Sequence, residues 1–103
     1  MSLNDYKNWM DSQEGKDDRR RFVFNLQSML DNYRFKSHVC WHIEGYDSTI
    51  IIEAQDGDFR FEHEFSGDSV ADVIIAYGVN EAVDMYQRIF LNRYTQTRQQ
   101  VTM

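Results

Sequence analysis

Apolar residues change their spacing twice along this chain. Phe22, Leu26, Met29, Leu30 and Tyr33 recur as one stripe on an α-helix. From residue 38 to residue 65 apolar and polar residues alternate, as on strands with one buried face. Helical spacing then returns from residue 69 to residue 94. The pattern predicts helices over 18–35 and 69–94 around strands at 38–44, 49–55 and 58–65. A short helix is predicted over 3–13, where Leu3, Tyr6 and Met10 recur beside Trp9. Ser2 is its expected cap and Gly15 its expected end. Asp17 or Asp18 is expected to cap the helix over 18–35. That start leaves Arg19, Arg20 and Arg21 in a first turn, where the helix dipole disfavours cations. Asp68 or Ser69 is the expected cap of the last helical stretch. Gly78 is expected to break that stretch, with Asn80 starting its second part. In the alternative it runs through, and Ala71, Ile75, Gly78, Ala82, Met85 and Ile89 form one stripe. The tail "TQTRQQVTM" is polar and expected to fray.

The strand register is read from Gln55-Asp56-Gly57-Asp58. Asp-Gly between two alternating runs signals a two-residue hairpin loop with positive φ at both residues. Residue 55 then pairs with 58, and 50 with 63. One face collects Ile50, Ile52, Ala54, Phe59, Phe61, His63 and Phe65. The other collects Thr49, Ile51, Glu53, Arg60, Glu62 and Glu64. A slip of one residue would mix the two sets. For Val39, Trp41 and Ile43 to join the apolar face, residue 44 pairs with 49 across the loop 45–48. The outer rows are then Cys40–Glu53–Arg60, His42–Ile51–Glu62 and Glu44–Thr49–Glu64.

These elements define one α+β domain over 1–103: a three-stranded antiparallel meander packed on one face by helices from before and after it. Residues 1–16 hold the short helix and a loop, and 96–103 a flexible tail. The expected core is Trp41, Ile43, Ile50, Ile52, Phe59, Phe61, Leu26, Leu30, Ile74, Met85 and Ile89.

Composition agrees with a globular chain, since 42% of the 103 residues are hydrophobic and 15% aromatic, too many for a disordered one. No apolar run approaches the ~20 residues of a membrane span. The start "MSLNDYKNWM" lacks the basic-then-apolar pattern of a secretory signal. A single cysteine makes no internal disulfide, and the cytoplasm is the expected compartment. Charge is unevenly spread. Residues 1–43 carry net +1, residues 44–84 net −10 and residues 85–103 net +3, within a total of −6. That asymmetry points to a choice of partner.

His38, Cys40 and His42 occupy alternate strand positions and share a face, with donor atoms suited to zinc. Ligands in a flat row are unlike the tight turns of familiar zinc sites, and the fourth ligand would have to be Glu53. No metal and no cofactor is expected. Cys40 as a nucleophile with either histidine lacks an adjoining oxyanion site, and acidic neighbours would raise its pKa. Glu44, Glu62 and Glu64 could act as paired carboxylates only in a cleft that splits their pKa values. His63 is expected on the core face between Phe61 and Phe65.

The helix–three strands–helix order resembles the double-stranded-RNA-binding domain in topology. That family contacts phosphates from the start of its last helix, which here reads "GDSVAD" and is acidic, so direct nucleic-acid binding is not expected. In size, charge and element order the chain also resembles small acidic phage proteins that inhibit host nucleases, some anti-CRISPR inhibitors among them. That resemblance implies a non-catalytic, DNA-mimicking inhibitor of anti-CRISPR or anti-restriction type. Its acidic stretch 44–84 would contact a basic partner such as a nucleic-acid enzyme. The expected contact residues are Glu44, Asp47, Glu53, Asp56, Asp58, Glu62, Glu64 and Asp72. The alternatives are a generic soluble interaction or homodimerisation domain, the dimer forming through the sheet edge, and a metal or thiol protein using His38, Cys40 and His42.

Overall fold

A computed structural model of the chain describes residues 3–102, with side chains for residues 4–100. Seven elements follow in order: α1 (Leu3–Asp11), α2 (Gln13–Leu30), β1 (Lys36–Glu44), β2 (Asp47–Asp56), β3 (Phe59–Ser66), α3 (Gly67–Tyr77) and α4 (Val79–Thr102). The strands form an antiparallel sheet in the order β1-β2-β3, and the architecture is the expected α+β meander under helices. Ser2, the expected cap of α1, lies outside the described residues.

The faces follow the alternation, but the register differs from the predicted one by two residues at both turns. Glu44 pairs with Asp47, and Asp56 with Phe59. Both loops therefore hold two residues with glycine first, Gly45-Tyr46 and Gly57-Asp58. The glycines take φ 65° and 61°, and no other residue type has positive φ among the described residues. Positive φ at the first loop residue alone is the pattern of a II′ turn. The predicted turn would have placed Asp56 at positive φ, where a Cβ is strained. A two-residue slip keeps every side chain on its face, so the hydrophobic pattern is indifferent to it.

The first helical boundary also moves. Ser12 caps α2, its Oγ accepting from Gly15 N at 2.9 Å. Gly15 therefore ends no helix. It is buried inside α2, where a Cβ would overlap the Trp9 carbonyl. Starting α2 at Gln13 moves Arg19, Arg20 and Arg21 out of the first turn, which removes the dipole conflict. Arg20 and Arg21 pair one turn back with Asp17 at 3.9 Å and Asp18 at 3.7 Å. At the other end, Ser66 is the N-cap of α3 and makes no side-chain cap bond.

The last helical stretch breaks at Gly78, as expected, with φ 94°. The break resets the buried stripe of α4 to Val79, Ala82, Val83, Tyr86 and Phe90. Met85 and Ile89, expected in the core, are instead 37% and 36% exposed. α4 continues to Thr102 through the polar segment. The core joins Phe22, Leu26 and Leu30 of α2 to Val39, Ile50, Ile52, Ile74 and Phe90. Trp41, Phe61 and Phe65 pack against it half-buried, and Phe59 is likewise half-exposed. Ile43 is 42% exposed, because it lies at the end of the edge strand β1.

The turn geometry predicts a specific ranking of alanine substitutions. Gly45→Ala and Gly57→Ala should each lower stability by about 1–2 kcal/mol, since each puts a Cβ at left-handed φ. Asp58→Ala should change it by less than about 0.5 kcal/mol. Urea unfolding measures all three, and equal effects at Gly57 and Asp58 would contradict the glycine-first turn.

Candidate functional site

Helices cover one face of the sheet and leave the other open. A two-residue hairpin is closed by a pair that exchanges two hydrogen bonds, and bonded and non-bonded pairs then alternate. From Glu44–Asp47 inward, the even residues of β1 bond to β2 and carry the outward side chains. From Asp56–Phe59 inward, the even residues of β2 bond to β3. Lys36, His38, Cys40, His42 and Glu44 of β1 therefore face outward. Across from them stand Gln55, Glu53, Ile51, Thr49 and Asp47 of β2. On β3 the matching positions are Arg60, Glu62, Glu64 and Ser66.

The observed register changes which charges meet. Glu53 was expected between Cys40 and Arg60. It lies between His38 and Glu62. Glu53 and Glu62 are a non-bonded pair, the arrangement that brings facing side chains closest. Two carboxylates directly opposed repel. Arg60 pairs with Gln55 one row away, and Lys36 lies beyond it. These rows line a shallow depression of about 390 Å³ that includes Lys36, His38, Glu53, Arg60 and Glu62.

Of the eight expected contact residues, five share this open face: Glu44, Asp47, Glu53, Glu62 and Glu64. Asp58 lies in the adjoining loop. Asp56 turns the other way and meets Arg98 of α4 at 3.5 Å, while Arg98 also lies 4.7 Å from the Phe59 ring centre. Asp72 is on α3, where its charge adds to burial in raising the Tyr86 pKa. Asp56 and Asp72 are thus not brought to the sheet's open face.

His38, Cys40 and His42 share the open face, and Cys40 is exposed. Opposite them stand Glu53, Ile51 and Thr49. Among the described residues, no three His, Cys, Asp or Glu side chains converge as metal ligands. His63 lies on the covered face, its ring stacked near-parallel to Phe61 at 6.2 Å and edge-on to Phe65 at 4.7 Å. Burial, then the nearby Arg93 charge, lowers its pKa, against the opposing pull of Glu64.

The pattern of polar residues gave little sign of a second feature, at the free edge of β1. Gln27 of α2 reaches that edge and binds it like a strand. Its Nε2 donates to Ser37 O at 3.1 Å, and its Oε1 accepts from Val39 N at 2.8 Å. The amide at position 27 lies on the inner flank of α2, which is the one legible signal. Beside it runs a groove of about 780 Å³ lined by Val23, Phe24, Trp41 and Ile43, with Lys16, Arg19 and Arg20 at its rim.

The fold and these surfaces define a small α+β module with an acidic open sheet and a basic, apolar groove at one edge. Compared with known proteins, the chain matches no family model, no curated protein and no solved structure. No described helix is long and apolar enough to cross a membrane.

Two outcomes follow. Glu62→Gln should stabilise the fold by about 0.2–1 kcal/mol, because it removes one of two opposed carboxylates; unchanged or lower stability in urea would separate the pair. The native His63 binds its proton less readily than the unfolded one. Stability from this group is therefore present above the ordinary pKa of 6.5 and lost as pH falls through the lowered native value. The melting temperature should drop between about pH 7 and pH 5, and less so in His63→Gln.

Proposed function

We propose that this chain is a non-catalytic binding module whose open sheet face contacts a basic protein surface. The observation that carries the reading is the Glu53–Glu62 pair, flanked by Glu44, Asp47 and Glu64 on the same face. Opposed carboxylates cost the fold stability, and a cationic partner side chain between them would relieve the repulsion. Neighbouring residues in one strand's outer face stand about 6.5–7 Å apart, the scale of adjacent phosphates along a nucleic-acid strand. A row of such carboxylates suits competition for the basic groove of a nucleic-acid enzyme. The concrete form of the proposal is a phage-type inhibitor acting as a DNA mimic in the cytoplasm.

The proposed contact set is limited to acids on or beside the open face. Glu44, Asp47, Glu53, Glu62 and Glu64 form it, with Asp58 at its border. Asp56 is engaged by Arg98 and lies on the other side.

The test is capture of host proteins on immobilised chain at low and high salt. A retained partner should be basic and should elute steeply with salt. Charge reversal at Glu62 and Glu64 together should weaken its binding by about tenfold or more, whereas Asp72→Lys should leave it nearly unchanged. Affinity that is indifferent to salt would sink the proposal.

A further inference from the structure

We propose that the groove between α2 and β1 takes an extended acidic peptide segment, which adds to the sheet as a fourth strand. This surface is separate from the acidic face and does not depend on its partner.

The two sheet edges are treated differently. In β3, the residues whose backbone groups point to the free edge are Arg60, Glu62, Glu64 and Ser66, and three of them carry charges that discourage strand addition. In β1, the edge-facing backbone belongs to Ser37, Val39, Trp41 and Ile43. Gln27 clamps the first half through Ser37 O and Val39 N. Trp41 and Ile43 have no such clamp. Their N–H and C=O groups open toward the groove, where a peptide backbone is their natural complement.

Side chains supply the rest of the recognition. Phe24 is 71% exposed and Ile43 42% exposed on opposite walls, an apolar pair that an inward-pointing partner residue would cover. Lys16, Arg19 and Arg20 stand along the α2 wall. Arg20 is only loosely engaged by Asp17, at 3.9 Å with 79% of its side chain exposed. The rim is therefore cationic, within a chain whose total charge is −6. An incoming segment whose helix-facing positions, every second residue, include both apolar and acidic side chains matches this wall.

A second copy of this chain fits less well. α2 lies against β1, with Phe22 packed edge-on to Trp41 at 5.6 Å. Two β1 strands paired across the edge would stand ~4.8 Å apart and carry two α2 helices with them. Helix axes need about 8–10 Å. An isolated extended segment brings no helix and meets no such conflict.

The test selects binders to the intact chain from a random-peptide display library, then maps them by amide chemical shifts. Enriched sequences should carry apolar residues and Asp or Glu at every second position and should shift the Trp41 and Ile43 amides. Phe24→Glu should weaken them by about tenfold or more. Ile43→Pro removes an edge-facing N–H that the β1–β2 ladder does not use, and should do the same; Lys16→Glu with Arg20→Glu provides a second check away from the strand. Enrichment of basic peptides alone, dependent on Glu62 and Glu64, would overturn this inference while supporting the acidic-face function. Binding indifferent to all these substitutions, self-association through β1, or a library that yields no binder would overturn this inference without bearing on that function.

Discussion

Positive φ at Gly45 and Gly57, and at no described residue bearing a side chain, commits the three strands to one register. Everything the sheet presents follows from that constraint. Each glycine opens a two-residue loop, so Glu44 meets Asp47 and Asp56 meets Phe59. The closing pairs then determine, by alternation, which backbone groups are spent inside the sheet and which face its edges. Glu53 meets Glu62 because of this. For the same reason the edge of β1 offers the backbone of Ser37, Val39, Trp41 and Ile43, whose side chains lie toward the helices.

The covered face gains its rigidity from aromatic packing between layers. Phe22 of α2 meets Trp41 of β1 and Tyr86 of α4 edge-on. Phe61 packs against Phe90 and Tyr94, and Phe65 against Tyr86. At the hairpin end, the Tyr6 hydroxyl donates to the Tyr46 carbonyl at 2.7 Å, and the Tyr46 hydroxyl donates to Asp11 at 2.9 Å. α1 is thereby tied to the β1–β2 loop. Trp41 keeps one unmet demand, a buried indole N–H without a partner among the described residues, a cost of order 1–3 kcal/mol. Trp41 is also one of the residues that line the groove.

Two surfaces of opposite character result from this arrangement. The open sheet concentrates carboxylates on a rigid, flat support. The α2–β1 groove combines cations with exposed apolar side chains and unpaired backbone. A chain with uniform charge would have neither contrast. Here the acidic segment 44–84 supplies β2 and β3, and the near-neutral segment before it supplies α2 and β1, which form the groove.

Element types and faces were legible in the sequence, because a period of 3.6 or 2 is a local property of side-chain direction. Ile50, Ile52, Phe61 and Phe65 could be assigned to one side, and Glu53, Glu62 and Glu64 to the other, without coordinates. The break at Gly78 was legible for the same local reason. Register was not, since a slip of two residues preserves every face; the choice rests on which loop residue takes positive φ. The start of α2 was hidden because Gly15, which reads as a helix end, packs against the Trp9 carbonyl in the assembled fold. The Gln27 clamp and the separation of Asp56 from the other acids join residues distant in sequence, so no local period announces them. The sequence by itself determined the elements and the two faces of the sheet. Only the tertiary structure decided which charges oppose one another and which edge stays open, because those depend on pairings that close across the chain.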